Sequence, residues 1–175
     1  MPVKNSADQI NLLKWMLEDL RKVTLEGVKH LTKEQLFTPP IENEFCIGSY
    51  IMHLAEVDLG WYETLSGEKT SDDIKKRSYY NCWFDSGPDF NPPNEAPEYE
   101  EYFKTIEATR KIFLDYVSSL SDSDLEENVI TKRRNGDVSI PKKWIIYHII
   151  EHEAHTRGQM FMLIRMAGWN KSSSD

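Results

Sequence analysis

Apolar residues recur along this chain at the spacing of buried helix faces, and they do so in four separate stretches. Over 5–31, Ile10, Leu13, Leu17, Leu20, Val23 and Val28 follow one another at steps of three to five, while Lys14, Glu18, Asp19, Arg21 and Lys22 fill the other face. This predicts an amphipathic helix that ends before Thr38-Pro39-Pro40, because proline has no N–H with which to continue it. A second helix is predicted from about Ile47 to Leu65, with Ile47, Ile51, Leu54, Trp61 and Leu65 in one ridge. Tyr50, His53 and Val57 form the ridge beside it. A third spans roughly Tyr99 to Leu120 on Phe103, Ile106, Ile112, Phe113 and Val117. The fourth opens at Pro141, where a missing N–H costs little, runs to about Ala167 and stops at Gly168.

The helical pattern lapses in two places. From Ser66 to about Pro97 the chain carries Gly, Asp, Asn and Pro with scattered aromatics, as in "SYYNCWFDSGPDFNPPNEAP". This predicts a long connection laid over one end of the helices by Tyr79, Tyr80, Trp83 and Phe84; such loops are often functional, and a plain crossover fits equally well. Before the fourth helix, "NVITKRRNGDVSIP" gives two short β-like runs around Asn135-Gly136, a strong hairpin signal. Four long amphipathic helices, a long loop after helix two and a small hairpin before helix four imply an all-α four-helix bundle. The length of 175 residues suits a single domain, 1–175, and no internal repeat is visible.

Charge narrows the function classes. A net charge of −8 and a pI near 5.2 argue against nucleic acid as a partner, since phosphate contacts need a basic surface. The one basic cluster, "TKRRNG" at 131–136, reads as a solvated turn. No apolar run approaches the roughly 20 residues that a bilayer requires, so no membrane is expected as a partner. The N-terminus lacks the layout of a secretory signal, and Cys46 and Cys82 are far apart with no CxxC, so a cytoplasmic location is expected.

Three of the five histidines, His148, His152 and His155, crowd into "YHIIEHEAHTRGQM". At about 100° per residue, His152 lies about 40° from His148 and about 60° from His155. Ile145, Ile149, Gln159 and Leu163 fall in or beside this sector while Lys142, Lys143 and Arg165 lie mostly away, so the sector is expected to face inward. Three neutral imidazoles supply few donors to one another, and a cation that takes their lone pairs resolves the conflict. His53, on the apolar side of helix two, reads alone as a hydrogen-bonded core histidine; beside this cluster it becomes a further ligand. An all-nitrogen set in a bundle core suits a divalent transition metal, Zn, Ni or Fe, and three protein ligands would leave positions open for water or substrate. "HEAHT" is not HExxH, the paired Glu-x-x-His of carboxylate-bridged di-iron bundles is missing, and neither a Gly-rich phosphate loop nor GxSxG occurs. His30, beside Lys29, reads as a surface residue near a helix C-terminus.

The histidine within "IGSYIMHLAEVDLGWY", followed near the C-terminus by "HIIEHEAHTRGQ" and "LIRMAG", resembles the DinB/YfiT superfamily of metal-binding four-helix bundles over nearly the whole chain. The resemblance implies a divalent metal held by three histidines, one from helix two and two from helix four, and often a homodimer. His53 then matches the helix-two ligand and His152 the first helix-four ligand. The second helix-four ligand is expected four residues on, where this chain has Thr156. That leaves His155, the favoured choice, or His148 to complete the site, with His148 alternatively orienting a ligand and Thr156 holding a metal-bound water. Arg157, Gly158 and Gln159 match the motif as well; Gly158 reads as permitting close helix packing, Arg157 as half of an ion pair, and Glu56 as an acceptor behind His53, a general base or a solvated residue.

Some members of that superfamily are thiol transferases. The resemblance therefore implies a metal-dependent thiol S-transferase, with a low-molecular-weight thiol of the bacillithiol type and an electrophile as its small-molecule partners. The alternative is a non-catalytic bundle stapled by metal, acting as a stress-linked binding or dimerisation module.

Overall fold

The computed structural model describes residues 8–78, 93–133 and 136–170. Helix α1 runs Asp8–Val28, and a five-residue helix α2, Lys33–Phe37, follows it. Helix α3 is Ile47–Ser66, α4 is Asp72–Arg77, and α5 is Tyr99–Ser119. After a 3-10 turn at Asp122–Glu126, strands β1 (Asn128–Arg133) and β2 (Gly136–Pro141) pair antiparallel in a register from Asn128 opposite Pro141 to Arg133 opposite Gly136. Helix α6, Lys142–Met166, completes the order. The molecule is therefore the expected all-α bundle of four long helices, with the hairpin in place before the last.

Two short helices go beyond the sequence reading. Five or six residues hold less than two turns, so neither α2 nor α4 has room for a periodic face. Local capping makes them. Thr32 accepts from the Gln35 N–H while the Gln35 side chain accepts from the Thr32 N–H, a reciprocal capping box at the start of α2. Ser71 accepts from Ile74 N–H at the start of α4, inside the stretch expected to lack regular structure. Glu63 anchors the turn between α3 and α4. Its carboxylate accepts from Thr70 N at 2.9 Å and Oγ1 at 2.8 Å, and pairs with Lys75 at 2.6 Å and Lys69 at 3.0 Å. Tyr79, Tyr80, Trp83, Phe84, Cys82 and Asn135 lie outside the described residues.

Helix α3 packs along α5, and α1 along α6. Two glycines set how closely. A Cβ on Gly48 would stand 2.4 Å from the Tyr102 ring and 2.7 Å from the Leu36 carbonyl oxygen, and one on Gly27 would stand 2.1 Å from the Phe161 ring. The buried apolar residues form two clusters, one in each half of the bundle. One gathers Leu25, Val28, Ile51, Ile106, Met160 and their neighbours. The other gathers Leu17, Leu65, Phe113, Ile145, Ile149 and theirs. Between them lies a layer that is charged.

That layer takes one residue from each long helix: Arg21 of α1 (5% exposed), Asp58 of α3 (0%), Arg110 of α5 (4%) and Glu153 of α6 (0%). Arg21 was expected on the polar face of α1, with Val23 on the apolar one. The structure reverses both, since Arg21 is buried and Val23 exposed. The reason is a partner for every charge. Arg21 donates from Nε and Nη2 to Glu153 at 2.9 and 3.0 Å, from Nη2 to Asp58 at 3.1 Å, and from Nη1 to the Ile106 carbonyl at 2.7 Å. Arg110 reaches Asp58 Oδ1 at 3.0 Å and also Glu153 Oε2. Two cations and two anions thus close a neutral ring in the core.

Candidate functional site

His53 lies on α3 beside this charged layer and is buried, 8% exposed. Its Nδ1 stands 3.1 Å from Glu56 Oε1, one turn along the same helix. A carboxylate there can only accept, so Nδ1 carries the proton and the Nε2 lone pair points away from Glu56. What it points at is His152 of α6, with 3.2 Å between the two Nε2 atoms and ring centroids 5.0 Å apart. Two distant stretches of sequence are thus brought together through side chains, as expected for these two positions.

The other two histidines of the cluster do not join them at that distance. His148 stacks on Trp144, with centroids 4.8 Å apart and planes 7° from parallel, and meets the edge of Trp61 at 5.5 Å. Its ring centroid is 6.0 Å from that of His152. His155 is exposed, and so is Gln159. The expectation of one inward sector holding all three histidines is therefore corrected. The buried residues of α6 centre on Ile149, Glu153, Thr156 and Met160, which at about 100° per residue lie about 100° or more from His155. Ile145 and Leu163, which suggested an inward direction, mark one edge of the buried face rather than its middle. His152 sits at that edge, about 40° from Thr156.

Smaller expectations shift with it. A Cβ on Gly158 would meet nothing within 4 Å, so this glycine does not admit a neighbouring helix. Arg157 makes no ion pair among the described residues. His30 is half-buried, and its Nε2 lies 2.7 Å from the Trp169 carbonyl oxygen, tying the end of α1 to the segment after α6.

The donor set bears directly on a metal. Two nitrogens each 2.0–2.1 Å from a tetrahedral zinc stand about 3.3 Å apart, and the observed Nε2 separation is 3.2 Å. The pair also satisfies itself as a hydrogen bond in which His152 donates to His53. The two imidazoles therefore fit as metal ligands. A third does not converge with them: among the described residues no group of three or more His, Cys, Asp and Glu gathers as a cation site. The buried hydroxyl of Thr156 occupies the position one turn after His152.

The sequence reading missed the charged ring that fixes this geometry. Glu153 is the immediate neighbour of His152, and Asp58 follows His53 by five residues, so the ring holds the rotation of α3 and α6 that makes the two histidines meet. Its carboxylates are not equivalent. Burial opposes the charge on Glu153, but Arg21 and Arg110 together outweigh it and hold the pKa at about 2. On Asp58 burial prevails over Arg110 and Arg21, and its pKa is raised. A signal was present in the sequence. Arg21, Asp58, Arg110 and Glu153 each stand four residues after a core apolar residue, namely Leu17, Leu54, Ile106 and Ile149.

Fold and site together define a helical bundle with an interhelical histidine pair backed by a carboxylate. This chain belongs to the DinB superfamily, whose family model matches residues 16–160. Among solved structures it is similar to the crystal structure of a DinB-like protein from Bacillus cereus, with a TM-score of 0.59 and 20% identity over 87% of this chain and 91% of that one. No curated protein matches it. No helix of the described residues is long and apolar enough to cross a membrane.

Proposed function

We propose that His53 and His152 hold a divalent transition metal, Zn, Ni or Fe, and that the protein uses it to transfer a low-molecular-weight thiol to an electrophile. The observation that carries the metal is the pair of Nε2 atoms at 3.2 Å, one of them oriented by Glu56. When bound, such a metal lowers the pKa of a coordinated thiol or water and supplies a nucleophile at neutral pH. The thiol and the transfer rest on the resemblance within the superfamily.

The protein's own residues have distinct parts. Glu56 fixes the His53 tautomer and ring. Arg21 and Arg110, through Glu153, fix the helix that carries His152. We assign the third position to His148, whose ring is the nearest remaining imidazole, and not to His155, which is exposed. Trp61 and Trp144, their centroids 6.2 Å apart, wall the approach beside His148. A merely stapling metal is the weaker reading, because the charged ring already ties all four long helices together.

Elemental analysis of protein purified without a histidine tag tests the first half. About one metal per chain is expected, and it should be lost in a folded His53→Ala variant, whose melting temperature should fall toward that of the metal-free wild type. A metal-free wild type, in a preparation never exposed to chelator, contradicts the proposal. For the second half, metal-loaded protein should accelerate loss of a thiol in the presence of an electrophile. No consumption across a broad panel of electrophiles would sink the transferase.

A further inference from the structure

An open groove of about 510 Å³ runs between α1 and α5, and no histidine borders it. Leu25 and Leu114 give it apolar walls, and Arg21 and Arg110 both line it. The two guanidinium groups are satisfied unequally. Arg21 uses all three of its nitrogens on Glu153, Asp58 and the Ile106 carbonyl. Arg110 makes both of its ion pairs through Nη2 alone. Its Nε and Nη1 are buried and have no hydrogen-bond partner among the described residues.

A buried donor on a cation requires an acceptor, and among the described residues none accepts from these two nitrogens. The groove has the size of an ordinary small-molecule site, and Leu25 and Leu114 are the apolar side chains in a lining that is otherwise charged or polar. We infer that the groove binds a small molecule carrying a carboxylate on an apolar body, its oxygens accepting from Arg110 and its body lying between Leu25 and Leu114. The rim is permissive rather than selective. Lys22 and Lys111 are paired with Glu26 at 4.0 Å and Asp115 at 2.6 Å, so neither sign of charge dominates there. Recognition of the anion therefore falls to the buried guanidinium.

Proton–nitrogen correlation spectra of the arginine Nε–H groups test this directly, in protein labelled with nitrogen-15 at arginine. Octanoate is the probe, with 1-octanol and octylammonium as controls. A saturable displacement of the Arg110 signal by octanoate is expected, with no such response to either control and with contacts from the octanoate chain to the Leu25 and Leu114 methyl groups. Leu114→Trp fills the groove without touching the ion pairs and should weaken octanoate at least tenfold; an unchanged Arg21 signal reports that the ring is intact. An Arg110 signal that octanoate leaves in place shows that water alone satisfies the donors and overturns the inference. An equal response to 1-octanol overturns it too. So do missing contacts to Leu25 and Leu114, whether or not the tryptophan variant folds.

Discussion

Glu56 and Thr156 decide most about the candidate centre, although neither is a histidine. Glu56 holds His53 by its Nδ1 and thereby aims Nε2 at His152. Partners of this kind raise the basicity of a ligand and fix its ring, and their loss typically weakens a metal about 10- to 100-fold. Glu56→Gln is expected to show a loss in that range by competition against a chromogenic chelator while remaining folded. Thr156 lies four residues after His152, so the two side chains share a side of α6. An imidazole there would converge with the pair. Thr156→His should tighten metal binding by at least about tenfold, or about 1.4 kcal/mol. Because Thr156 is buried, the larger side chain should also cost the metal-free protein about 1–3 kcal/mol of stability. Urea unfolding with and without metal separates the two effects.

At the level of the elements, the four long helices are held in rotational register by the ring of Arg21, Asp58, Arg110 and Glu153. Removing one partner from a buried ion pair strands the others, at about 3–5 kcal/mol. At about 2–4 °C per kcal/mol for a chain of this size, Glu153→Gln should lower the melting temperature by roughly 6–20 °C. Acid should act through the same groups. Glu153 and Glu63 are both held at about 2, below their ordinary 4.5; for Glu63 burial resists, and Lys75, Thr70 and Lys69 overcome it. A depressed carboxylate stabilises fully above its ordinary pKa, and that contribution is lost as pH falls toward 2. Asp58 works in the opposite sense, because its raised pKa lets the folded state take a proton first. Unfolding free energies measured from pH 6 downward should therefore fall between about pH 4.5 and 2, and Glu63→Gln, which leaves the core ring untouched, should make that fall shallower. The long helices were legible because ten or more residues of apolar period outweigh local noise. The ring was not, because a charged residue inside an apolar stripe reads as polar face until its partners on three other helices are known.

For the whole molecule, the family is given by a sequence match over residues 16–160 and the fold by the bundle, whereas the geometry of the candidate centre depends on which way one helix is turned. The sequence identified His53 and His152 as partners across 99 residues, and they stand side by side. It expected His155 to face inward, whereas His155 is exposed, because Ile145 and Leu163 lie at the rim of the buried face of α6 and a sector drawn through them leans outward. Calorimetric titration of metal-stripped, tag-free protein with zinc and nickel tests the proposed centre of His53 and His152 completed by His148 most directly. One binding event per chain is expected, lost in His53→Ala and His152→Ala, weakened in His148→Ala and unchanged in His155→Ala. Absence of saturable binding by the wild type, binding that survives His53→Ala, or binding that disappears in His155→Ala would contradict it.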